Sequence, residues 1–266
     1  MKVKHLVGAF LCVLGCYACS SPKTEVQSPD GHIKMTLTVD ENGKPFYNVS
    51  VDDSLLIENS AMGFTAANGI ILGEGFQVKN TTFSSEDETW TQPWGENKKN
   101  RNHYNEMAVN LTNEDHVQLT LRFRVFDDGI GFRYEYTVPT VDSLLITDEL
   151  TTFRFHRDGT SWSIPASAET YELLYQQQPI SEVETANTPF TFKTADGVYG
   201  SIHEAALYDF PEMTLKQIGH YTLKAELAPW PDGIKARKGN HFTTSWRTVQ
   251  IAPEAVGLIN SSLILN

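Results

Sequence analysis

The sequence of 266 residues predicts an all-β protein, specifically a large antiparallel β-sandwich. Apolar and polar residues alternate with a period of two through many short segments, and turn residues such as Asn-Gly and Asp-Gly separate these segments. No helical pattern runs longer than about three turns. Roughly fifteen or more short strands are more than one open sheet accommodates, so we expect two packed layers.

The clearest element is a hairpin over residues 117–137, which reads VQLTLRFRVF, DDG and IGFRYEYT. Alternation on both sides of Asp128-Gly129 predicts a two-residue loop at that dipeptide. The opposed pairs are then Val125–Phe132, Phe123–Tyr134, Leu121–Tyr136, Arg122–Glu135 and Arg124–Arg133. One face is apolar, and the other sets two arginines side by side, which needs an acidic partner from elsewhere. We therefore expect another part of the chain or another domain to cover the polar face.

Before the hairpin, residues 22–31 form a polar tether that ends in a Ser-Pro-Asp-Gly turn. Strands are predicted over residues 32–39, 46–51, 55–57, 63–67 and 76–83. The segment 85–105 is polar, with Trp90, Trp94 and Tyr104 set into it, and it shows no apolar periodicity. A structureless segment of this length predicts a functional or packing loop.

After the hairpin, the same patterns predict five further strand regions and a final strand. The strand regions are residues 144–155, 190–194, 198–207, 221–227 and 241–251, and the final strand is 259–265. Between them lie a helical turn or irregular loop at 162–175, a surface excursion at 176–189, a loop at 228–239 and a helical turn at 253–257.

The first nineteen residues predict a bacterial lipoprotein signal, which leaves residues 20–266 as the mature domain. Two lysines precede an apolar run at residues 6–14 that is too short to span a membrane. Cys16 has the better upstream residues for lipidation, whereas Cys19 has the more usual Ser-Ser downstream. A plain signal peptide is the alternative. We expect an exported protein in the periplasm or at the outer membrane, held only by a lipid anchor. Because all three cysteines lie in this segment, no disulfide is expected in the domain.

A formal net charge of −12 argues against nucleic acid and anionic membrane surfaces as partners. The sequence has no phosphate-binding loop, no His-Glu-x-x-His metal motif and no Gly-x-Ser-x-Gly elbow. With 33 acidic residues, a glycosidase carboxylate pair cannot be selected from composition.

Three clusters are candidates for function. The first joins Trp94 and Glu96 to the run Arg101, Asn102, His103, Tyr104, Asn105 and Glu106. Aromatic faces beside hydrogen-bonding groups suit sugar binding, and the alternative is a loop held by its own hydrogen bonds. The second is His203–Glu204, which could equally be a satisfied core or interface pair. The third comprises Glu169, Tyr171, Glu172 and Tyr175, where a carboxylate could bind Ca²⁺ or simply face solvent.

Several motifs in one order resemble the N-terminal domain of glycoside hydrolase family 97. They are Trp90-x3-Trp94-Gly95-Glu96, the run 101–106, the run 123–135, Ile164-Pro165 with Tyr171-Glu172, the run 203–207 and Trp246-Arg247-Thr248. The resemblance covers residues 25–266. The family comprises bacterial α-glucosidases and α-galactosidases of polysaccharide-utilisation systems in Bacteroides-like bacteria.

The resemblance implies a supersandwich fold similar to galactose mutarotase, followed in the family by a catalytic (β/α)8 barrel and a small β domain. The barrel carries the catalytic carboxylates and most Ca²⁺ ligands, and the N-terminal domain donates one glutamate. Alignment on Ile164-Pro165 makes this Glu172, with Glu169 as the alternative. No strand–helix alternation follows Asn266, so a fragment, a split gene product or a stand-alone relative is expected.

The resulting expectation is a non-catalytic module that packs on the barrel, borders a pocket for an α-glucoside or α-galactoside and shares Glu172 with a Ca²⁺ ion. The barrel could be a domain or a separate chain. One alternative is a free-standing lipoprotein that binds glycans. Another is a mutarotase-like enzyme that uses His103 or His203 with a glutamate as acid and base.

Overall fold

The computed structural model describes residues 24–266, and the predicted leader with Cys16 and Cys19 lies outside this range. The strands are β1 Glu25–Gln27, β2 Ile33–Val39, β3 Pro45–Val51, β4 Ser54–Ala61, β5 Phe64–Ala66, β6 Ile71–Leu72, β7 Gln77–Thr91, β8 Lys99–Thr112, β9 Gln118–Phe126, β10 Gly129–Thr137, β11 Ser143–Glu149, β12 Thr152–Arg154, β13 Gly159–Ser163, β14 Gln176–Pro179, β15 Thr185–Asn187, β16 Phe190–Thr194, β17 Tyr199–Ala205, β18 Met213–Gln217, β19 Thr222–Leu227, β20 Ala236–Gly239, β21 His241–Thr243 and β22 Trp246–Ala252. The helical elements are α1 Ala255–Asn260 and 3₁₀ turns at Ala67–Gly69, Ile180–Glu182 and Leu263–Leu265. No helix within residues 24–266 has the length and apolar character needed to cross a bilayer.

One ten-stranded sheet packs against three four-stranded sheets, which confirms the predicted all-β sandwich. The large sheet has the order β14-β13-β16-β17-β22-β10-β9-β8-β7, with β21 also paired to β10. The smaller sheets are β1-β2-β3-β4, β20-β11-β5-β6 and β12-β19-β18-β15. Aromatic contacts join the layers: the ring of Tyr47 lies 5.0 Å from that of Phe132, and Phe64 lies 4.9 Å from Tyr134. These rings belong to one continuous buried core.

The central hairpin forms as β9 and β10, but its predicted register is wrong by two residues. Ile130 lies opposite Val125, and the two-residue loop is Asp127-Asp128 rather than Asp128-Gly129. A shift of two keeps every side chain on its predicted face. Gly129 instead begins β10 with φ +144°, where an added Cβ would lie 2.2 Å from the Val249 carbonyl oxygen. Glycine is therefore required at this position by the close approach of β22.

The predicted conflict on the polar face exists between Arg122 and Arg133, which lie opposite each other. Glu135 accepts hydrogen bonds from both guanidinium groups, at 2.8 Å from Arg122 Nε and 2.7 Å from Arg133 Nη2. Glu106 of the neighbouring strand β8 adds contacts to Arg122 and to Arg124. The expected acidic partner from elsewhere is thus supplied within the same sheet.

The loop predicted at 85–105 is wrong, because most of this segment belongs to the long strands β7 and β8. Residues Tyr104 to Thr112 of β8 pair with β9, whereas 99–103 pair only with β7. We call residues 87–103, which extend beyond β9, the arm. Since no core lies beneath the arm, polar residues occupy both of its faces and the apolar alternation that predicts strands is missing.

Four shorter predictions also need correction. The tether at 22–31 contains β1, which pairs with β2, and the excursion at 176–189 contains β14 and β15 with a buried Ile180 between them. The loop at 228–239 ends in β20, which pairs with β11. The final strand predicted at 259–265 is instead the end of α1 followed by a 3₁₀ turn. Its apolar Leu263 packs on Tyr104 and Phe126, so a helical turn buries it as well as a strand would.

Candidate functional site

The first candidate cluster lies along the arm and is divided between the two faces of β8. Asn102, Tyr104 and Glu106 lie on the outer face of the sheet, whereas the alternate residues Arg101, His103 and Asn105 lie on the opposite face. Trp94 and Glu96 lie in the loop at the tip of the arm. Trp94 is 84% exposed, the most exposed tryptophan in residues 24–266.

On the outer face, the predicted sugar-binding side chains are occupied by neighbours. Asn102 Nδ2 donates to Glu88 Oε1 at 3.1 Å, and the Tyr104 ring packs on Phe126 with 5.3 Å between centroids. The Arg124 guanidinium lies 4.3 Å from the Tyr104 ring centroid. Glu106 is fully engaged with arginines, as described above. The outer face is thus largely filled by hydrogen bonds and ring contacts, although Asn100 Oδ1 and Asn102 Oδ1 are buried without a hydrogen-bond partner within residues 24–266.

On the opposite face, two of the three predicted side chains are paired and the third is not. Arg101 makes a bidentate ion pair with Asp87, at 2.7 and 2.8 Å, and Asn105 Nδ2 donates to the Gln27 carbonyl oxygen at 2.9 Å. His103 Nδ1 lies 3.8 Å from Asp127 Oδ2 and has no hydrogen-bond partner.

Asn266 connects the arm to the sheet, since Arg124 Nη1 of β9 donates to its carbonyl oxygen at 3.4 Å. Asn266 Oδ1 accepts a 2.8 Å hydrogen bond from Trp90 Nε1, and Asn266 Nδ2 donates to the Arg101 carbonyl oxygen at 2.9 Å. The arm is thus oriented by contacts at its base, while its tip is left exposed.

The second cluster is divided as well, because His203 and Glu204 are neighbours on β17 and point to opposite faces. Glu204 Oε2 accepts from Arg247 Nη1 at 2.7 Å, and its Oε1 accepts the Met213 N–H at 3.1 Å. Arg247 also binds Glu149 through two hydrogen bonds of 3.0 and 2.6 Å. The Arg247 and Glu149 side chains are 1% and 0% exposed, so this is a buried ion cluster between the layers.

Burial shifts the pKa values of both Glu204 and His203. It raises the pKa of Glu204 above its usual value, although the Arg247 charge opposes this change. Burial alone lowers the pKa of His203, whose Nδ1 lies 3.1 Å from Thr188 Oγ1. None of the three candidate clusters included Arg247 or Glu149, although Arg247 belongs to the motif Trp246-Arg247-Thr248 of the family resemblance.

The third cluster lies on an irregular loop, residues 164–175, which joins β13 to β14. The Glu172 carboxylate is exposed and has no hydrogen bond or ion pair within residues 24–266. Its backbone N–H donates to Thr170 Oγ1 at 2.9 Å, and the Glu169 N–H donates to Ser167 Oγ at 3.2 Å. Tyr171 Oη donates to Glu212 Oε2 at 2.8 Å, and this hydrogen bond raises the pKa of the phenol.

Large apolar side chains are left uncovered around Glu172 and on the nearby segment 206–212. Tyr171 is 56% exposed, Leu174 88%, Tyr175 70% and Tyr208 82%. Concentration of exposed aromatic and aliphatic groups is typical of an interaction surface.

The fold does not bring the arm and the Glu172 loop together. Six interstrand steps separate β13 from β8 in the large sheet, which corresponds to about 29 Å along the sheet. The two strands run in the same direction. The arm includes the start of β8, whereas the loop follows the end of β13. They therefore lie at opposite edges, and the predicted site residues form at least two separate surfaces.

Within residues 24–266, no three His, Cys, Asp or Glu side chains are arranged to hold a metal ion. Glu172 can supply one oxygen donor group, and Ca²⁺ takes six to eight oxygens. The described residues therefore fit a contribution to a shared Ca²⁺ site and do not form a complete one.

Known proteins match this chain over nearly its whole length. The family model described as glycosyl-hydrolase 97 N-terminal matches residues 26–266. A retaining alpha-galactosidase of Bacteroides thetaiotaomicron is 25% identical over an alignment of 246 residues, and the match covers 86% of this chain and 36% of that protein. A glycoside hydrolase family 97 enzyme from Pseudoalteromonas sp. strain K8, solved in complex with panose, is 38% identical with a TM-score of 0.88.

This structural match covers 91% of the present chain but only 38% of the Pseudoalteromonas enzyme. A β-arabinopyranosidase is 20% identical with a TM-score of 0.79, which shows likeness of fold alone. This chain therefore corresponds to a minor part of its longer relatives.

Proposed function

This chain belongs to the glycosyl-hydrolase 97 N-terminal family, and we propose that it acts as the non-catalytic β-sandwich module of a family 97 α-glycosidase. In this role it packs on a catalytic domain, borders the sugar pocket and offers Glu172 to a Ca²⁺ ion. The catalytic domain is either covalently linked or a separate chain. The relatives that contain such a module are longer, and the two described above are a glycoside hydrolase and an alpha-galactosidase.

One observation carries the proposal: the Glu172 carboxylate is unpaired and exposed on a loop whose other large side chains are also uncovered. A carboxylate with no internal partner is free to coordinate a cation outside its own domain. The surrounding aromatic and aliphatic surface is the kind that a second domain buries. Packing and metal sharing would thus occur on one surface.

Calorimetry with Ca²⁺ on the isolated chain tests the shared nature of the site. A single carboxylate cannot replace the hydration shell of the ion, so we expect no binding tighter than about millimolar. A micromolar Ca²⁺ site on this chain alone would show that the module holds the ion by itself, contrary to the proposal.

A chimera tests the contribution of Glu172 directly. The N-terminal module of the Pseudoalteromonas enzyme is replaced by residues 24–266, and the Ca²⁺ concentration for half-maximal hydrolysis is measured. Glu172→Gln should raise it, because the amide retains the shape but loses the charge. Glu254→Gln, an exposed glutamate outside the loop, is the control. Equal Ca²⁺ requirements for the two variants would contradict the role of Glu172, and the same measurement on Glu169→Gln decides between the two glutamates.

The substrate is proposed to be an α-glucoside or an α-galactoside. This class follows from the relatives, of which one is a retaining alpha-galactosidase and another was solved with panose and with acarbose. Since the module contributes no catalytic residue in this proposal, the chain alone should not hydrolyse aryl α-glucosides or aryl α-galactosides.

A second candidate function is glycan binding by a free-standing surface lipoprotein, and the exposure of Trp94 favours it. An indole that is 84% exposed at the tip of a projecting arm can stack on a sugar ring. Affinity electrophoresis through α-glucan gels tests this with the chain itself. The function is supported if the glycan retards the wild type, if Trp94→Ala is no longer retarded and if Trp230→Ala, at an exposed tryptophan elsewhere, is still retarded. Equal mobility with and without glycan would refute it.

A further inference from the structure

The loop that carries Glu172 is anchored at its base and is otherwise supported mainly from within. β13 and β14 close it through the Ser163–Gln176 pair. Inside the loop, Ser167 Oγ accepts the N–H groups of Glu169 and Thr170, and Thr170 Oγ1 accepts that of Glu172. These contacts shape the loop locally, but they do not fix its tip, residues 171–172, relative to the sandwich.

One hydrogen bond connects the tip to a distant part of the chain. Tyr171 Oη donates to Glu212 Oε2 at 2.8 Å across 41 positions of sequence. The neighbourhood of Glu212 is firmly held, because its carbonyl accepts the Ala228 N–H at 3.2 Å. The next residue, Met213, donates its N–H to Glu204, which is bound to the buried Arg247.

The tether also restrains the residue next to it. The backbone around Tyr171 is irregular, with a bend at Tyr171 itself, and Glu172 is the next residue along the chain. With the Tyr171 phenol held by Glu212, the backbone that bears Glu172 is restrained at that point, while the Glu172 side chain stays exposed. Glu169 lies three residues before Glu172 and lacks such a tether on an adjacent side chain.

We propose that Glu212 is a positioning residue that holds Tyr171 and thereby orients Glu172 for coordination of a cation outside this domain. The inference rests on the proposed function of Glu172. It assigns Glu212 no contact with the metal or the sugar: Glu212 acts by limiting the conformations of the loop before the second domain binds, which lowers the entropy lost on binding.

Hydrogen-exchange mass spectrometry on the chain alone tests the tether. In Glu212→Ala the peptide spanning residues 164–175 should exchange faster, by up to about tenfold, the equilibrium change for loss of one hydrogen bond to a charged acceptor. Tyr171→Phe removes the same hydrogen bond from an exposed position and should give the same change. Glu212→Gln keeps an acceptor oxygen and should remain close to the wild type. Glu254→Ala is the control.

The Ca²⁺ requirement of the chimera tests the orientation of Glu172. Glu212→Ala should raise this requirement by up to about tenfold without changing the rate at saturating Ca²⁺, and Glu212→Gln should restore it. Unchanged loop exchange in both Glu212→Ala and Tyr171→Phe overturns the tether. A Ca²⁺ requirement that responds to Glu172→Gln but not to Glu212→Ala overturns the positioning role and leaves the proposed function standing. If Glu172→Gln itself has no effect, the proposed function fails and the orientation of a ligand fails with it.

Discussion

Substitution of one residue of the buried ion cluster, Arg247, should strongly lower the free energy of unfolding of this sandwich. Arg247 is 1% exposed and makes three charge-assisted hydrogen bonds to Glu149 and Glu204, together with one to Ser245. Within residues 24–266, Arg247 is the one positive charge paired with these two buried carboxylates, and Arg247→Met removes it. Breaking a buried pair by removal of one partner costs about 3–5 kcal/mol, because the remaining charge stays buried without compensation. The expected decrease in the free energy of unfolding is therefore about 3–5 kcal/mol.

The control is Arg101→Met, which removes another bidentate arginine–carboxylate pair. Arg101 and Asp87 have side chains that are 59% and 54% exposed, so the geometry is similar and burial differs. Exposed pairs contribute about 0–1 kcal/mol, and this variant should remain within that range.

Urea unfolding at pH 7.5, followed by tryptophan fluorescence, measures both variants against the wild type. At about 2–4 °C per kcal/mol for a domain of this size, Arg247→Met should also lower Tm by roughly 6–20 °C. A loss below about 1 kcal/mol for Arg247→Met would refute the reasoning, since burial would then add nothing to the exposed pair. Addition of Glu149→Leu to Arg247→Met should recover part of the loss, because one uncompensated charge is removed.

Three further predictions concern pH, the arm and the anchor. Burial lowers the pKa of His203 in the folded state, so the wild type should lose stability as pH falls from 7 to 5. In urea unfolding, His203→Gln should make the free energy of unfolding depend less steeply on pH. The same pH dependence in the variant and the wild type would contradict this role of His203. Asn266→Ala removes both hydrogen bonds to the arm, so exchange in peptides from residues 87–103 should accelerate, whereas peptides from β16 should not change. Metabolic labelling with palmitate in a bacterial host should be lost in one of the variants Cys16→Ser and Cys19→Ser, and a wild type that takes up no palmitate would contradict a lipid anchor.

The predictions from sequence succeeded where a strand has a core on one side. The period of two over residues 117–137 identified β9, β10 and the correct apolar face, because burial of one face enforces alternation. Register was less certain, since a shift by two residues leaves the alternation intact. The β22 backbone that fixes Gly129 is more than 100 residues away in sequence, so no local pattern could place the turn.

The arm shows the opposite case. Residues 87–103 pair only with one another and have no apolar layer beneath them, so their strands left no periodic signal and a loop was predicted. The candidate residues of the run 101–106 were adjacent in sequence, but alternation of a strand divided them between two faces. The distance between the arm and Glu172 likewise depends on the order of strands in the large sheet.

The sequence by itself determined the all-β class, the apolar faces of the central strands and the family, because each of these depends on local periodicity or on motifs in order. The tertiary structure alone decided that Arg247 pairs with Glu149 and Glu204, that Tyr171 reaches Glu212 and that Glu172 has no partner in residues 24–266. These facts depend on contacts between residues that are distant along the chain. Which charge finds a partner is settled only when the sheets pack together, since water is then excluded from some pairs and remains around others.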